Sequence, residues 1–158
     1  MQKLFLLTFV LVMGLACSCN KEDKNDDCPA TENLCVEIGD QKIAGPASWY
    51  RIPSQNRFRI LWEEGQGATY RNIEIDVYTA DSVLTAGTYN FNSTRAAGSA
   101  AFQWYASEAG WYGNAGSLVL ETVTATQISG TFSGVVAKDG TGETLNVSKG
   151  KLQSVPKQ

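Results

Sequence analysis

Three Trp-Tyr dipeptides, Trp49-Tyr50, Trp104-Tyr105 and Trp111-Tyr112, are the most suggestive chemistry in this 158-residue chain. A flat ring held at a surface can stack on the apolar face of a sugar while nearby amides and carboxylates bond its hydroxyls. Neighbouring strand residues face opposite sides of a sheet, so each dipeptide can send one ring inward and the other to water. The third pair lies in Glu108-Ala109-Gly110-Trp111-Tyr112-Gly113-Asn114-Ala115-Gly116, whose small residues predict a loop. Trp111, Tyr112, Asn114 and Trp104 are therefore the candidate ligand-binding residues, with Trp111 expected to be exposed. The competing role is packing, because aromatic rings dominate the energetics of cores.

Carboxylates offer a second chemistry. Glu63-Glu64 close one alternating run beside Gly65-Gln66-Gly67, and Glu74 and Asp76 share one face of another. Such pairs can coordinate calcium or perform glycosidase acid–base steps. Neither spacing is that of a calcium loop, and Asp139-Gly140-Thr141-Gly142-Glu143 reads as a turn, so no metal site is assigned. A solvated strand face is the expected role for these acids. Histidine is absent, which removes Ser-His-Asp and Cys-His nucleophile pairs, His-ligated zinc and imidazole acid–base chemistry. Gly65-Gln66-Gly67 lacks the Lys and the following helix of a phosphate loop. No catalytic residue and no cofactor is assigned. The remaining enzymatic option is a small hydrolase working through Glu63, Glu64 or Glu108. Thirteen Lys and Arg against 16 Asp and Glu leave a net charge of −3, with no basic surplus to displace phosphate counterions, so nucleic acid is excluded as a partner.

The elements that must position these residues read as strands. Phe58, Ile60 and Trp62 alternate with Arg57, Arg59 and Glu63; Ile73, Ile75 and Val77 alternate with Asn72, Glu74 and Asp76. Ile128, Phe132 and Val136 share a face with Gly130 and Gly134 between them. Period two with one apolar face is the signature of half-buried antiparallel strands. Shorter runs at 34–38, 41–43, 87–92, 100–105, 116–123, 143–147 and 151–155 complete about nine or ten strands. Gly39-Asp40 suits a tight hairpin between the first two. The predicted fold is all-β, a single antiparallel β-sandwich. The strand-interior glycines keep a partly closed β-barrel as the alternative.

The first 27 residues have a different task. Lys3 and the apolar run from Leu4 to Leu15, too short for a bilayer span, predict a secretory signal. Its end resembles the lipobox of bacterial lipoproteins, in which a Cys after small residues is acylated and begins the mature chain. Cys17 follows Gly14-Leu15-Ala16. Cys19 follows Ser18 and precedes Asn20-Lys21-Glu22-Asp23, which looks like the export signal of Bacteroidota surface lipoproteins. Cys19 is the expected lipidation site, with Cys17 as the alternative. This divides the chain into a signal peptide (1–18), a lipidated Cys with a polar tether (19–27) and a β domain (28–158). Cys28 and Cys35 then remain in an oxidising compartment, where a disulfide is expected. Asp81-Ser82-Val83 resembles the O-glycosylation sequon of exported Bacteroidota proteins, making Ser82 a candidate modification site.

Gly87-Thr88-Tyr89, Ile128-Ser129-Gly130-Thr131-Phe132 and Gly150-Lys151-Leu152 occur in that order. The series resembles a family of small Bacteroidota outer-membrane lipoproteins in which Gly-Thr-Tyr, Ile-Ser-Gly-Thr-Phe and a final Thr-Asp-Gly-Lys-Phe recur. This chain departs at the last motif, with Lys149 for the acid and Leu152 for Phe. The resemblance spans about residues 34–155 and implies an outer-membrane β domain, with no activity and no catalytic residues. The expectation is a non-catalytic, surface-exposed binding module, attached to the membrane by lipid, with glycan as its ligand. A protein partner in the envelope is the alternative.

Overall fold

The computed structural model describes residues 28–158; the predicted signal peptide, Cys17, Cys19 and the tether lie outside the described residues. Ten strands follow one another: β1 Leu34–Ile38, β2 Gln41–Gly45, β3 Ala47–Ile52, β4 Arg57–Glu64, β5 Arg71–Tyr78, β6 Gly87–Phe91, β7 Ser99–Ala106, β8 Ala109–Val123, β9 Gln127–Lys138 and β10 Thr144–Pro156. All belong to one sheet, ordered β2-β1-β10-β9-β8-β6-β7-β5-β4-β3, with β8 also pairing β7. Pairing is antiparallel except for a short parallel contact between β6 and β7. The two edge strands are joined through Pro46 alone, and the end of the chain bridges the seam. Lys157 pairs with Trp49, and the Gln158 backbone N–H donates to the Trp49 carbonyl at 2.9 Å. The sheet is thus curled almost into a closed barrel, the form that the strand-interior glycines allow.

The interior is filled by the apolar face of every strand. Phe58, Ile60 and Trp62 of β4, Ile73, Ile75 and Val77 of β5, and Phe102 and Trp104 of β7 are all buried. Phe102 meets Phe91 and Phe132 at ring-centroid distances of 5.6 and 5.8 Å. Three tryptophans carry a cation against the ring: Arg71 on Trp62, Lys138 on Trp111 and Lys157 on Trp49. The buried apolar residues among those described form one core cluster that reaches from Leu34 to Val155.

Three elements differ from the sequence expectation. Ala47–Ile52, hemmed in by Pro46 and Pro53, is a strand of its own. The runs at 143–147 and 151–155 merge into β10, whose register slips twice at bulges. The predicted loop at 108–116 is mostly strand, since β8 begins at Ala109. Its small residues serve close approach instead of chain reversal. Gly116, with φ +120, sits opposite Gly134 just beyond a bulge between Gly113 and Ala115. A Cβ on Gly134 would lie 2.3 Å from the Ala115 carbonyl oxygen, and one on Gly116 2.2 Å from that of Ser133.

The disulfide Cys28–Cys35 is formed, with Cα atoms 5.6 Å apart. It closes a loop worth about 2–3 kcal/mol in the chain-entropy account. Gln153 of β10 supports that loop by donating to the carbonyls of Cys28 and Glu32 at 3.2 and 3.3 Å. Because the clash at Gly134 is with backbone, the substitution Gly134→Ala is expected to destabilise the domain by about 1–3 kcal/mol. Urea denaturation of the two proteins measures it.

Candidate functional site

Strand register places a groove on the outer face of the barrel. Asn72 of β5 stands opposite Tyr105 of β7, which stands opposite Gly110 of β8. One step along, Glu74 stands opposite Gln103, and Gln103 opposite Tyr112. Tyr70, just before β5, closes one end, with its ring 6.2 Å from that of Tyr105. The groove so formed has a volume of about 290 Å³. Gly110 contributes no side chain, and the Tyr112 ring leans over it: a Cβ there would meet the Tyr112 hydroxyl at 3.2 Å.

A continuous polar network supports the wall of the groove. Asp76 is only 2% exposed although it lies on the outer face. It accepts from Arg57 at 2.8 Å and from both Nε and Nη2 of Arg59, at 2.8 and 2.9 Å. Arg59 also reaches Glu74 at 2.9 Å. Asn72 donates to Glu74 at 3.3 Å and to the Tyr70 hydroxyl at 3.1 Å, and that hydroxyl donates to Glu63 at 2.6 Å. The hydrogen bond to Glu63 raises the Tyr70 phenol above its ordinary value, helped by burial. Burial raises the Glu74 carboxyl, opposed by Arg59 and reinforced by the charge of Asp76. The hydrogen bond to Asp76 raises Arg59, against the effect of its own burial.

Of the four candidate binding residues, three border this groove, but not in the expected manner. Trp104 and Trp111 are 3% and 7% exposed and belong to the core, with ring centroids 5.8 Å apart. The expected exposure of Trp111 is corrected: it lies on a strand, and its side of the pleat is the apolar one. Tyr112 is 47% exposed and Tyr105 37%, so the outward ring of each dipeptide is the tyrosine. The same division holds in Trp49-Tyr50, with Trp49 buried and Tyr50 half-exposed. Asn114 is exposed on β8 and lies outside the groove lining.

The other carboxylates are dispersed. Glu63 is held by Tyr70 and Glu64 by Arg71, while Glu108 occupies the turn between β7 and β8. Glu74 and Asp76 do share one face, yet the expected solvated face is corrected for Asp76, which two arginines enclose. Ser82 lies in the loop between β5 and β6, where its hydroxyl is bonded to the Asn56 side-chain oxygen. Tyr70, Asn72, Gln103 and Tyr105 are groove residues that sequence does not single out, and Glu74 enters there only as half of a carboxylate pair with Asp76. The available signals are Tyr105, as the second member of a Trp-Tyr pair, and Glu74, as an outward carboxylate of β5.

No family model, no curated protein and no solved structure matches this chain. Function is therefore inferred from the groove itself.

The two carboxylates of β5 should behave in opposite ways. Asp76→Ala strands two half-buried guanidinium groups and is expected to lower unfolding free energy by about 3 kcal/mol. A raised carboxyl pKa in the folded state means that ionising Glu74 works against folding above that pKa, and the penalty is relieved as pH falls through it. Glu74→Gln is therefore expected not to destabilise the domain at pH 7, with any gain over wild type shrinking on acidification. Urea denaturation of wild type and the two variants at pH 7 and pH 4 measures both effects.

Proposed function

We propose that this chain is a lipid-anchored envelope protein whose outer groove binds glycan without catalysing a reaction. The observation that carries the binding assignment is the groove on β5, β7 and β8: exposed tyrosine rings beside amides and one half-buried carboxylate. Concave sites combining apolar rings with a few convergent polar groups are the usual form of small-ligand sites. Tyr105 and Tyr112 offer ring faces for stacking, and Asn72, Glu74 and Gln103 offer acceptors and donors for hydroxyls. A paired-carboxylate hydrolase has less support. The carboxyl displaced in the groove is Glu74, while Asp76 is committed to Arg57 and Arg59 and Glu63 to Tyr70. A large apolar docking face also has less support, since Val83, Tyr105 and Tyr112 are the exposed large hydrophobics among the described residues. The lipid anchor rests on the 1–27 sequence, with Cys19 as the acylated residue and the outer membrane as its destination.

Tyr105→Ala and Tyr112→Ala, in the untethered domain 28–158, are expected to fold as wild type. Each should weaken binding to any glycan-array hit by about tenfold, the equivalent of one lost stacking contact. Unchanged affinity in both variants would overturn the groove assignment. For the anchor, Cys19→Ala is expected to move the full chain out of the membrane fraction of its native cell, whereas Cys17→Ala leaves it there.

A further inference from the structure

We infer that the groove selects uncharged sugars and turns away acidic ones; this rests on the glycan-binding assignment and narrows it. Among the groove-lining residues, Glu74 is the one side chain whose ordinary pKa leaves it charged at neutral pH. The cations nearest to it are already committed. Arg57 is bound to Asp76, and Arg59 spans Asp76 and Glu74 with its Nε, Nη2 and Nη1 groups. Glu63, joined through Tyr70 and Asn72, adds a further negative charge to the same network. Two arginines thus face three carboxylates. A uronate, sialate or sulfate placed over the tyrosines would meet Glu74, while Lys138, the cation against the groove-lining Trp111, already faces Glu143 at 3.7 Å.

The neutral groups fit the opposite ligand. Gln103 stands between Glu74 and Tyr112, and among the described residues its amide has no hydrogen-bond partner. One amide offers a donor and an acceptor together, the combination that a hydroxyl of an uncharged ring can satisfy. Glu74 accepts from a second hydroxyl, and the ring faces of Tyr105 and Tyr112 take the apolar side of the sugar. Like-charge juxtaposition suppresses wrong partners, so even a partly open groove discriminates against an acidic ligand.

The test is a titration of the domain 28–158 against two panels of oligosaccharides. One holds neutral hexaoses of glucose, xylose, mannose and galactose; the other holds oligogalacturonate, hyaluronan and heparin fragments and sialylated glycans. The expected result is binding to at least one neutral probe, with every acidic probe at least about tenfold weaker. The variant Gln103→Lys, which adds a cation without removing a side-chain hydrogen bond, is expected to narrow that gap or reverse it. An acidic probe bound by wild type as tightly as the best neutral one overturns this inference and leaves the glycan assignment standing. Silence on both panels by folded protein overturns the assignment and the inference together. The wild-type comparison decides the matter even if Gln103→Lys fails to fold.

Discussion

The constraint on which the molecule depends is the two-residue repeat of a sheet that closes upon itself. Once the ten strands curl, one side of each must fill a common interior and the other must meet water. The Trp-Tyr dipeptides show what this does to chemistry. Trp49, Trp104 and Trp111 take the inner side because they are the larger apolar bodies, and their partners are left outside. Tyr105 and Tyr112 are thereby exposed by the packing demands of their neighbours. The groove is the outer imprint of the core.

The imprint is held in shape by charges that are themselves withdrawn from solvent. Asp76 would be an expensive residue to enclose on its own, and it is tolerated because Arg57 and Arg59 supply three hydrogen bonds from β4. The arginine that clamps Asp76 also reaches Glu74, so the wall of the groove and the pairing of β4 with β5 are secured by the same guanidinium. Glu74 is left half-buried beside that clamp, and its burial raises the carboxyl although Arg59 opposes the shift.

Much of the fold was legible because it follows from periodicity. The faces of β4, β5 and β9, the Gly39-Asp40 hairpin and the Cys28–Cys35 bond all follow from local pattern or from cysteine arithmetic. The candidate site was only half legible. Alternation told that one ring of each pair would face water, but composition around Trp111 suggested a loop and so pointed to the wrong ring. Gly113 and Gly116 misled because a glycine needed for close strand approach is indistinguishable in sequence from one needed for a turn. Tyr70, Asn72 and Gln103 converge through register between β5 and β7, residues some thirty positions apart, and no single run of sequence contains that register.

The seam of the barrel carries one more implication, for the order of events in folding. β3 lies in the first part of the domain, and the contacts that seal it to β10 involve Lys157 and Gln158. More than a hundred residues must therefore emerge before the sheet can shut, and contacts so distant in sequence form slowly. Until then the future interior, with its phenylalanines and tryptophans, has no lid. A chain wired in this way stays open while it is being made and closes only after its last strand is delivered.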